Sequence, residues 1–171
     1  LIAQIVLESI NENQQVLIFC STRSRTEVVA RQLKELLQIE ISSDIERDTI
    51  SKKLEEEKST SVPSASLDSL IDIVRSSIAF HHASLSGESR QTLEKAFKKN
   101  ILRVLVATTT LAVGVNLPAA RVIIADMQVG KEPLDCVRYR QMCGRAGRMG
   151  LLKAHECGEC YLFTTHQNAA I

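Results

Sequence analysis

The sequence lacks an excess of charge of either sign, a long apolar run and an even number of cysteines. Its 171 residues carry 21 basic and 20 acidic side chains, a formal net charge of +1. A polyanion would therefore have to bind a local cluster of basic residues, because the overall electrostatic field is weak. Five cysteines without a secretory leader or a membrane-spanning run lead us to expect free thiols, a reducing compartment and no membrane partner.

Three nucleotide-binding signatures are also missing. The sequence has no GxxxxGK loop followed by Ser or Thr, no acidic magnesium-binding motif and no GxGxxG after its first predicted strand. These absences lead us to expect that the chain alone cannot complete ATP hydrolysis and is inactive in isolation, and they argue against a plain dinucleotide-binding protein. Because Leu1 already falls in an apolar-periodic stretch, we expect the chain to be part of a longer protein.

Apolar runs and helical periodicities alternate along the chain. Val16–Cys20 predicts a strand, and Ser24 with Glu27 predicts a capping box that opens the following helix. Helices are also predicted after Gly87 and after Asp135. Further strands are predicted at Ile78–Phe80, Ile101–Ala107, Arg121–Ala125 and Cys160–Phe163. This alternation predicts an α/β fold, a doubly wound and mostly parallel sheet, in one domain over residues 1–171.

One segment departs from this alternation. Residues 39–77 are rich in Ser, Glu and Lys, contain Pro63, and show helical apolar spacing only between Leu67 and Val74. We interpret this segment as an inserted, partly mobile excursion from the domain.

In a doubly wound sheet, ligands bind at the loops that follow the carboxyl ends of strands. One such loop, ATTTLAVGVNLPA, carries hydroxyls at Thr108–Thr110 that suit phosphate oxygens, and Gly114 would let the backbone approach a ligand. A threonine-rich helix cap with an ordinary turn glycine is the plain alternative.

Two further loops carry polar side chains. QMCGRAGR places Arg145 and Arg148 three residues apart, each after a glycine, as suits bidentate phosphate binding, although two solvated arginines are the alternative. FHHASLSGESR brings His82 and Ser84 in front of a helix N-terminus, where a backbone phosphate could bind. A polar turn with a half-buried histidine is its alternative.

Four segments, in this order, resemble motifs IV, IVa, V and VI of superfamily-two helicases: VLIFCSTR, FHHASLSGESR, ATTTLAVGVNLPA and QMCGRAGR. GVNLPA followed by YRQMCGRAGR is similar to the branch that contains HELQ and the helicase part of polymerase theta. The resemblance covers most of the chain. It implies a RecA-like, P-loop NTPase-type helicase C-terminal domain that moves 3′ to 5′ on DNA, acts in DNA repair and works in the nucleus.

The resemblance also implies residues that face ATP. In this family ATP lies between two RecA-like domains, and we expect the N-terminal one to hold most of the Mg²⁺ ligands. Arg145 and Arg148 match arginines that stabilise the γ-phosphate, and Gln141 matches a residue that orients nucleotide and water. Gly114 and Asn116 match residues on the ATP side of motif V.

A second set of residues is implied for the nucleic acid, which we expect to be single-stranded DNA. Thr110 matches a residue that touches the backbone, and Arg23, His82 and Ser84 lie in loops that approach the same strand. The sequence departs from its relatives by having Ser84 where they usually have glycine and Ala120 where they usually have a basic residue.

One group of side chains offers the types of ligand that a metal ion needs. Cys157 and Cys160, with His155 and His166, are four possible nitrogen and sulfur ligands for zinc. Single CxxC pairs are common and Cys160 begins a predicted strand, so we predict no metal site.

Two alternatives to a DNA helicase stay open on the sequence. One is an RNA helicase of a related branch, in which contacts to 2′-hydroxyl groups are expected. The other is a non-catalytic interaction module with residues 39–77 as the partner surface, against which Arg145, Arg148 and Gln141 argue.

Overall fold

The computed structural model describes residues 1–37, 45–60, 65–111, 115–130, 132–147 and 157–163. The helices are α1 (Ile2–Asn11), α2 (Arg23–Leu37), α3 (Ile45–Thr60), α4 (Ala65–Val74), α5 (Gly87–Lys98) and α6 (Cys136–Cys143). The strands are β1 (Val16–Cys20), β2 (Ile78–His81), β3 (Val104–Thr108), β4 (Arg121–Ile124), β5 (Gln128–Val129), β6 (Glu132–Pro133) and β7 (Glu159–Leu162). None of these helices is long and apolar enough to cross a membrane.

Five parallel strands form the main sheet in the order β2-β3-β1-β4-β7. All residues of β1, β2, β3 and β4 are buried, which explains why they are nearly continuous apolar runs. The chain leaves β1 toward β2, returns through β3 and then crosses to β4 and β7. Because parallel crossovers are right-handed, this reversal puts helices on both faces. The predicted RecA-like, doubly wound α/β fold is confirmed.

The helix starts depend on local capping. The Ser86 hydroxyl accepts a hydrogen bond from the Ser89 amide at 2.9 Å, and the Asp135 carboxylate accepts one from the Arg138 amide at 2.7 Å. The helix after Asp135 was therefore predicted for the right reason.

The predicted capping box at Ser24 is wrong. Helix α2 begins at Arg23, and the Thr22 hydroxyl accepts the hydrogen bond from the Arg25 amide at 3.2 Å. The Glu27 carboxylate accepts a hydrogen bond from the Ser66 hydroxyl instead, so it does not form the second bond of a capping box.

The segment 39–77 contains α3 and α4. Helix α4 packs on α2 and β2, and α3 packs on α4 and α5. Its buried apolar residues are Ile50, Leu54, Leu67, Leu70, Ile71, Ile73 and Val74. The described part of this segment is thus a helical layer of the core, and its interpretation as an insertion into the domain stays a prediction. The exposed faces of α3 and α4 are polar, so the sequence pattern alone does not indicate that these helices pack in the core.

Candidate nucleic-acid and nucleotide sites

The loops after β1, β2 and β3 meet at the carboxyl edge of the sheet, because β3 lies between the other two strands. Ser84 and Thr110 are exposed in two of these loops, and Arg23 is exposed at the start of α2, directly after the third. The Arg23 guanidinium donates a hydrogen bond to the Ser84 hydroxyl at 2.5 Å, and the Thr110 hydroxyl lies 2.8 Å from that of Thr108. Three of the four residues predicted to contact the strand therefore share one edge of the sheet.

Asp126, just after β4, fixes the loop after β1. One of its carboxylate oxygens accepts hydrogen bonds from the Ser21 amide at 2.8 Å and the Ser21 hydroxyl at 2.9 Å. The Arg25 guanidinium lies 3.8 Å from the other oxygen. The sequence analysis missed Asp126, whose only signal is a single acidic residue after an apolar strand. It holds in place the loop that presents Arg23.

His82, the fourth residue predicted to contact the strand, is buried. Its side chain is 1% exposed, and its Nε2 lies 3.1 Å from Oε1 of Glu27. The imidazole stacks on Phe80 with ring centroids 5.4 Å apart and planes 13° apart. In this conformation, the side chain does not reach a strand at the surface.

The neighbouring His81 is also buried, with Nε2 3.1 Å from Oε1 of Glu94. Desolvation lowers the pKa of His81, and the hydrogen bond and negative charge of Glu94 oppose that shift only in part. A lowered pKa favours the neutral ring, so this residue adds no positive charge to the candidate strand surface near neutral pH.

Arg145 and Asn116 come together at the opposite end of the sheet. An Nη1 atom of Arg145 lies 3.4 Å from Oδ1 of Asn116, and Arg145 is 9% exposed. The Ala119 amide donates to the Arg145 carbonyl at 3.1 Å, and the Gly147 amide donates to the Ala119 carbonyl at 2.9 Å. Since Ala119 lies two residues before β4, Arg145 is beside the amino end of that strand.

This position corrects the expectation that all three polar loops lie at the carboxyl edge. Helix α6 starts beyond the carboxyl end of β4 and ends at Cys143, and Ala146, three residues later, pairs with Ala119. It therefore runs back along β4 and carries Arg145 to the amino end. Gln141 is exposed on the last turn of α6. Gly114 and Arg148 lie outside the described residues.

The residues present suit a phosphate at the amino end of β4 better than a metal. A guanidinium is a permanent cation that binds phosphate oxygens, and that of Arg145 is already oriented by an amide oxygen. Among the residues that the structure describes, no group of three His, Cys, Asp or Glu side chains could hold a metal ion. His155 and His166, two of the four possible zinc ligands, lie outside those residues.

Cys160 instead pairs with Cys143 at the end of α6, with sulfur atoms 2.7 Å apart. Desolvation of the sulfur atom and, after it, the hydrogen bond with Cys143 raise the pKa of Cys160 to about 12. The sequence analysis missed this contact because the two cysteines are 17 residues apart.

Arg121, the first residue of β4, ties together the elements around this end of the sheet. Its guanidinium contacts Glu159 of β7 at 2.6 Å. It also contacts Ser9 of α1 and Glu12, the residue directly after α1, at 2.9 Å each. The pKa of Glu159 is lowered mainly by a hydrogen bond from Tyr161 and then by Arg121. The sequence analysis did not single out Arg121, although an arginine that begins an apolar strand was a possible signal.

The family described as "helicase conserved C-terminal domain" matches residues 1–150. The chain is 37% identical over 152 residues to ATP-dependent DNA helicase Hel308 of Caldivirga maquilingensis, an alignment that covers 86% of this chain and 20% of that protein. It is 34% identical over 176 residues to DNA polymerase theta of Drosophila melanogaster, an alignment that covers 98% of this chain and 8% of that protein. For DNA polymerase theta of Mus musculus the identity is 38% over 161 residues, and the alignment covers 88% of this chain and 6% of that protein.

The chain thus spans a fifth or less of the length of these relatives. Their names agree with the resemblance found in the four motifs, to helicases of the HELQ and polymerase-theta type, which is confirmed. On the match over residues 1–150, the chain belongs to the helicase conserved C-terminal domain family.

Proposed function

We propose that the chain is the second RecA-like motor domain of an ATP-dependent DNA helicase, paired with an N-terminal RecA-like domain of the same protein. Relatives named as ATP-dependent DNA helicases support this proposal. The observation that carries it is the buried Arg145 guanidinium held beside Asn116, at the end of the sheet opposite Arg23 and Ser84. A motor needs separate surfaces for nucleotide and strand, and these two groups supply candidates for both.

At the amino end of β4, the task of the domain is electrostatic. Arg145, with Arg148 three residues later, supplies positive charge to the γ-phosphate of ATP as that phosphoryl group is transferred. Gln141 orients the nucleotide and water, Asn116 suits a ribose hydroxyl, and Gly114 allows close backbone approach. The phosphate-binding loop and the Mg²⁺ ligands come from the N-terminal domain, because this sequence has neither motif. Hydrolysis then requires the two domains to close.

At the carboxyl edge, Arg23, Ser84 and Thr110 hold the phosphates of a single DNA strand. Such contacts fix the strand without reading its bases. Cycles of closing and opening move the strand in one direction, 3′ to 5′, in nuclear DNA repair. This division of labour accounts for the two separated groups of polar side chains.

The test is DNA-stimulated ATP hydrolysis by the longer protein, with ATP affinity measured separately. Arg145→Ala and Arg148→Ala should each lower turnover by about a hundredfold or more, because positive charge is lost at the transferring phosphoryl group, while ATP still binds. Arg140→Ala removes an exposed arginine of α6 and should leave turnover unchanged. Unchanged turnover in the first two variants would refute the motor and favour an interaction module. Running the assay with RNA as well as DNA tests the substrate class.

A further inference from the structure

The Glu27 carboxylate joins three elements beneath the candidate strand surface. One oxygen, Oε1, accepts a hydrogen bond from the Ser66 hydroxyl of α4 at 2.8 Å and lies 3.1 Å from Nε2 of His82. An ionised carboxylate can only accept, so Nε2 of His82 is the donor. The Nδ1 atom of His82 has no hydrogen-bond partner among the described residues. The contact with Glu27 therefore orients a ring that is otherwise held by packing alone.

The loop that begins at His82 is held at its other end too. The Ser86 hydroxyl caps the Ser89 amide, and the Ser89 hydroxyl donates to Glu57 of α3 at 2.6 Å. Between these anchors, the Leu85 amide donates to the His82 carbonyl at 3.1 Å. Residues 82–86 thus form a tight turn tied to α4 through Glu27 and to α3 through Glu57.

Helix α2 contacts this turn at two points. Arg23 and Glu27 are four residues apart, so they lie on the same face of the helix. Arg23 reaches Ser84 at the exposed tip of the turn, and Glu27 reaches His82 at its buried base. A shift of the base would therefore change the position of Ser84 relative to Arg23.

We infer that His82 and Glu27 are positioning residues for the nucleic-acid contact. The Glu27 carboxylate, oriented by Ser66, fixes the His82 ring and so sets the turn that presents Ser84 beside Arg23 to a strand phosphate. This inference rests on the proposed function and gives α4, part of segment 39–77, a role in strand binding. Because His82 is buried, its effect on binding has to pass through the turn.

The test uses the longer protein and measures two quantities, the single-stranded DNA concentration for half-maximal ATPase stimulation and the rate at saturating DNA. His82→Ala should raise the half-maximal DNA concentration about tenfold, because one hydrogen bond to a charged group is lost. It should leave the rate at saturating DNA nearly unchanged. Glu27→Ala should do the same, and the double variant should be no worse than either. His82→Gln should recover most of the affinity, since its amide nitrogen can donate to Glu27.

A matched control is the Lys34–Asp72 ion pair, which joins the same two helices, α2 and α4, without touching the turn. Lys34→Ala should leave both quantities unchanged. Ser66→Ala removes only the hydroxyl that orients Glu27, so it keeps the inference testable if His82→Ala fails to fold. It should raise the DNA requirement by a few fold.

Either of two results would overturn the inference: an unchanged DNA requirement in folded His82→Ala or Ser66→Ala, or a His82→Gln variant as weak as His82→Ala. Its failure is distinguishable from failure of the proposed function. If Arg145→Ala abolishes turnover while the His82 variants bind DNA normally, only the positioning role is lost. If Arg145→Ala also leaves turnover intact, the motor itself is refuted.

Discussion

Replacing Arg121 with methionine tests how the amino end of β4 is held. The Arg121 guanidinium joins α1 to β7 through Ser9, Glu12 and Glu159, close to the segment that carries Arg145. Methionine keeps much of the apolar stem and removes the polar contacts. The substitution therefore measures the polar contacts separately from packing.

The structure sets the expected magnitude. The bond to Ser9 is buried, and hydrogen bonds of charged groups contribute about 1.5–3 kcal/mol. Glu12 and Glu159 are 52% and 47% exposed, so each ion pair contributes about 0–1 kcal/mol. The Ser9 hydroxyl keeps its own acceptor, the Ile5 carbonyl at 2.6 Å. We expect Arg121→Met to lower the free energy of unfolding by about 3 kcal/mol.

Urea unfolding of the 171-residue chain, followed by circular dichroism, measures this loss, and the melting temperature should fall by roughly 6–12 °C. Arg138→Met is the control, because Arg138 also pairs with two acidic residues but is itself 39% exposed. It should cost less than about 0.5 kcal/mol. Equal losses in the two variants, or a loss below about 1 kcal/mol for Arg121→Met, would refute the reasoning.

Three further predictions concern β7 and α6. Because the Tyr161 hydroxyl chiefly lowers the pKa of Glu159, the stability from this carboxylate is complete above its ordinary value of 4.5 and is lost as the pH falls below it. Tyr161→Phe should therefore reduce the drop in urea midpoint between about pH 6 and pH 3.5, and an unchanged drop would contradict this cause. Glutathione disulfide should oxidise Cys143 and Cys160 to an intramolecular disulfide, seen by peptide mass spectrometry as a linked pair two hydrogens lighter; linkage of other cysteines instead would count against the geometry. Since the pKa of Cys160 is raised to about 12, this oxidation should speed up as the pH increases. Asp135→Ala should cost about 1 kcal/mol in urea unfolding through loss of the α6 cap, and Asp135→Asn should cost far less.

The sequence was sufficient wherever a structure depends on near neighbours in the chain. β1 has the bounds that its apolar run predicts, and Asp135 caps the helix that follows it. Strands buried on both faces show as apolar runs, and a cap needs a side chain only three residues from the amide it binds. The four motif segments also identified the family correctly.

Segment 39–77 shows where local pattern was insufficient. Helix α3 buries few apolar side chains, because one side of it contacts α4 and α5 and the rest faces water. In the sequence, a narrow apolar stripe among Ser, Glu and Lys residues looks like the pattern of a segment that projects from the domain. Its place in the core depends on two partner helices, which the segment's own sequence does not reveal.

The arrangement of the candidate sites was decided only by tertiary structure. The motifs pointed to Arg145 and His82 as site residues. However, α6 runs back along β4 and so brings Arg145 to the amino end of the sheet. Packing on Phe80 and the contact with Glu27 bury His82. Residue type determines what chemistry a side chain can perform. Its hydrogen-bond partner, which is 55 residues away for His82 and 29 for Arg145, helps to determine whether it meets a ligand or supports a loop.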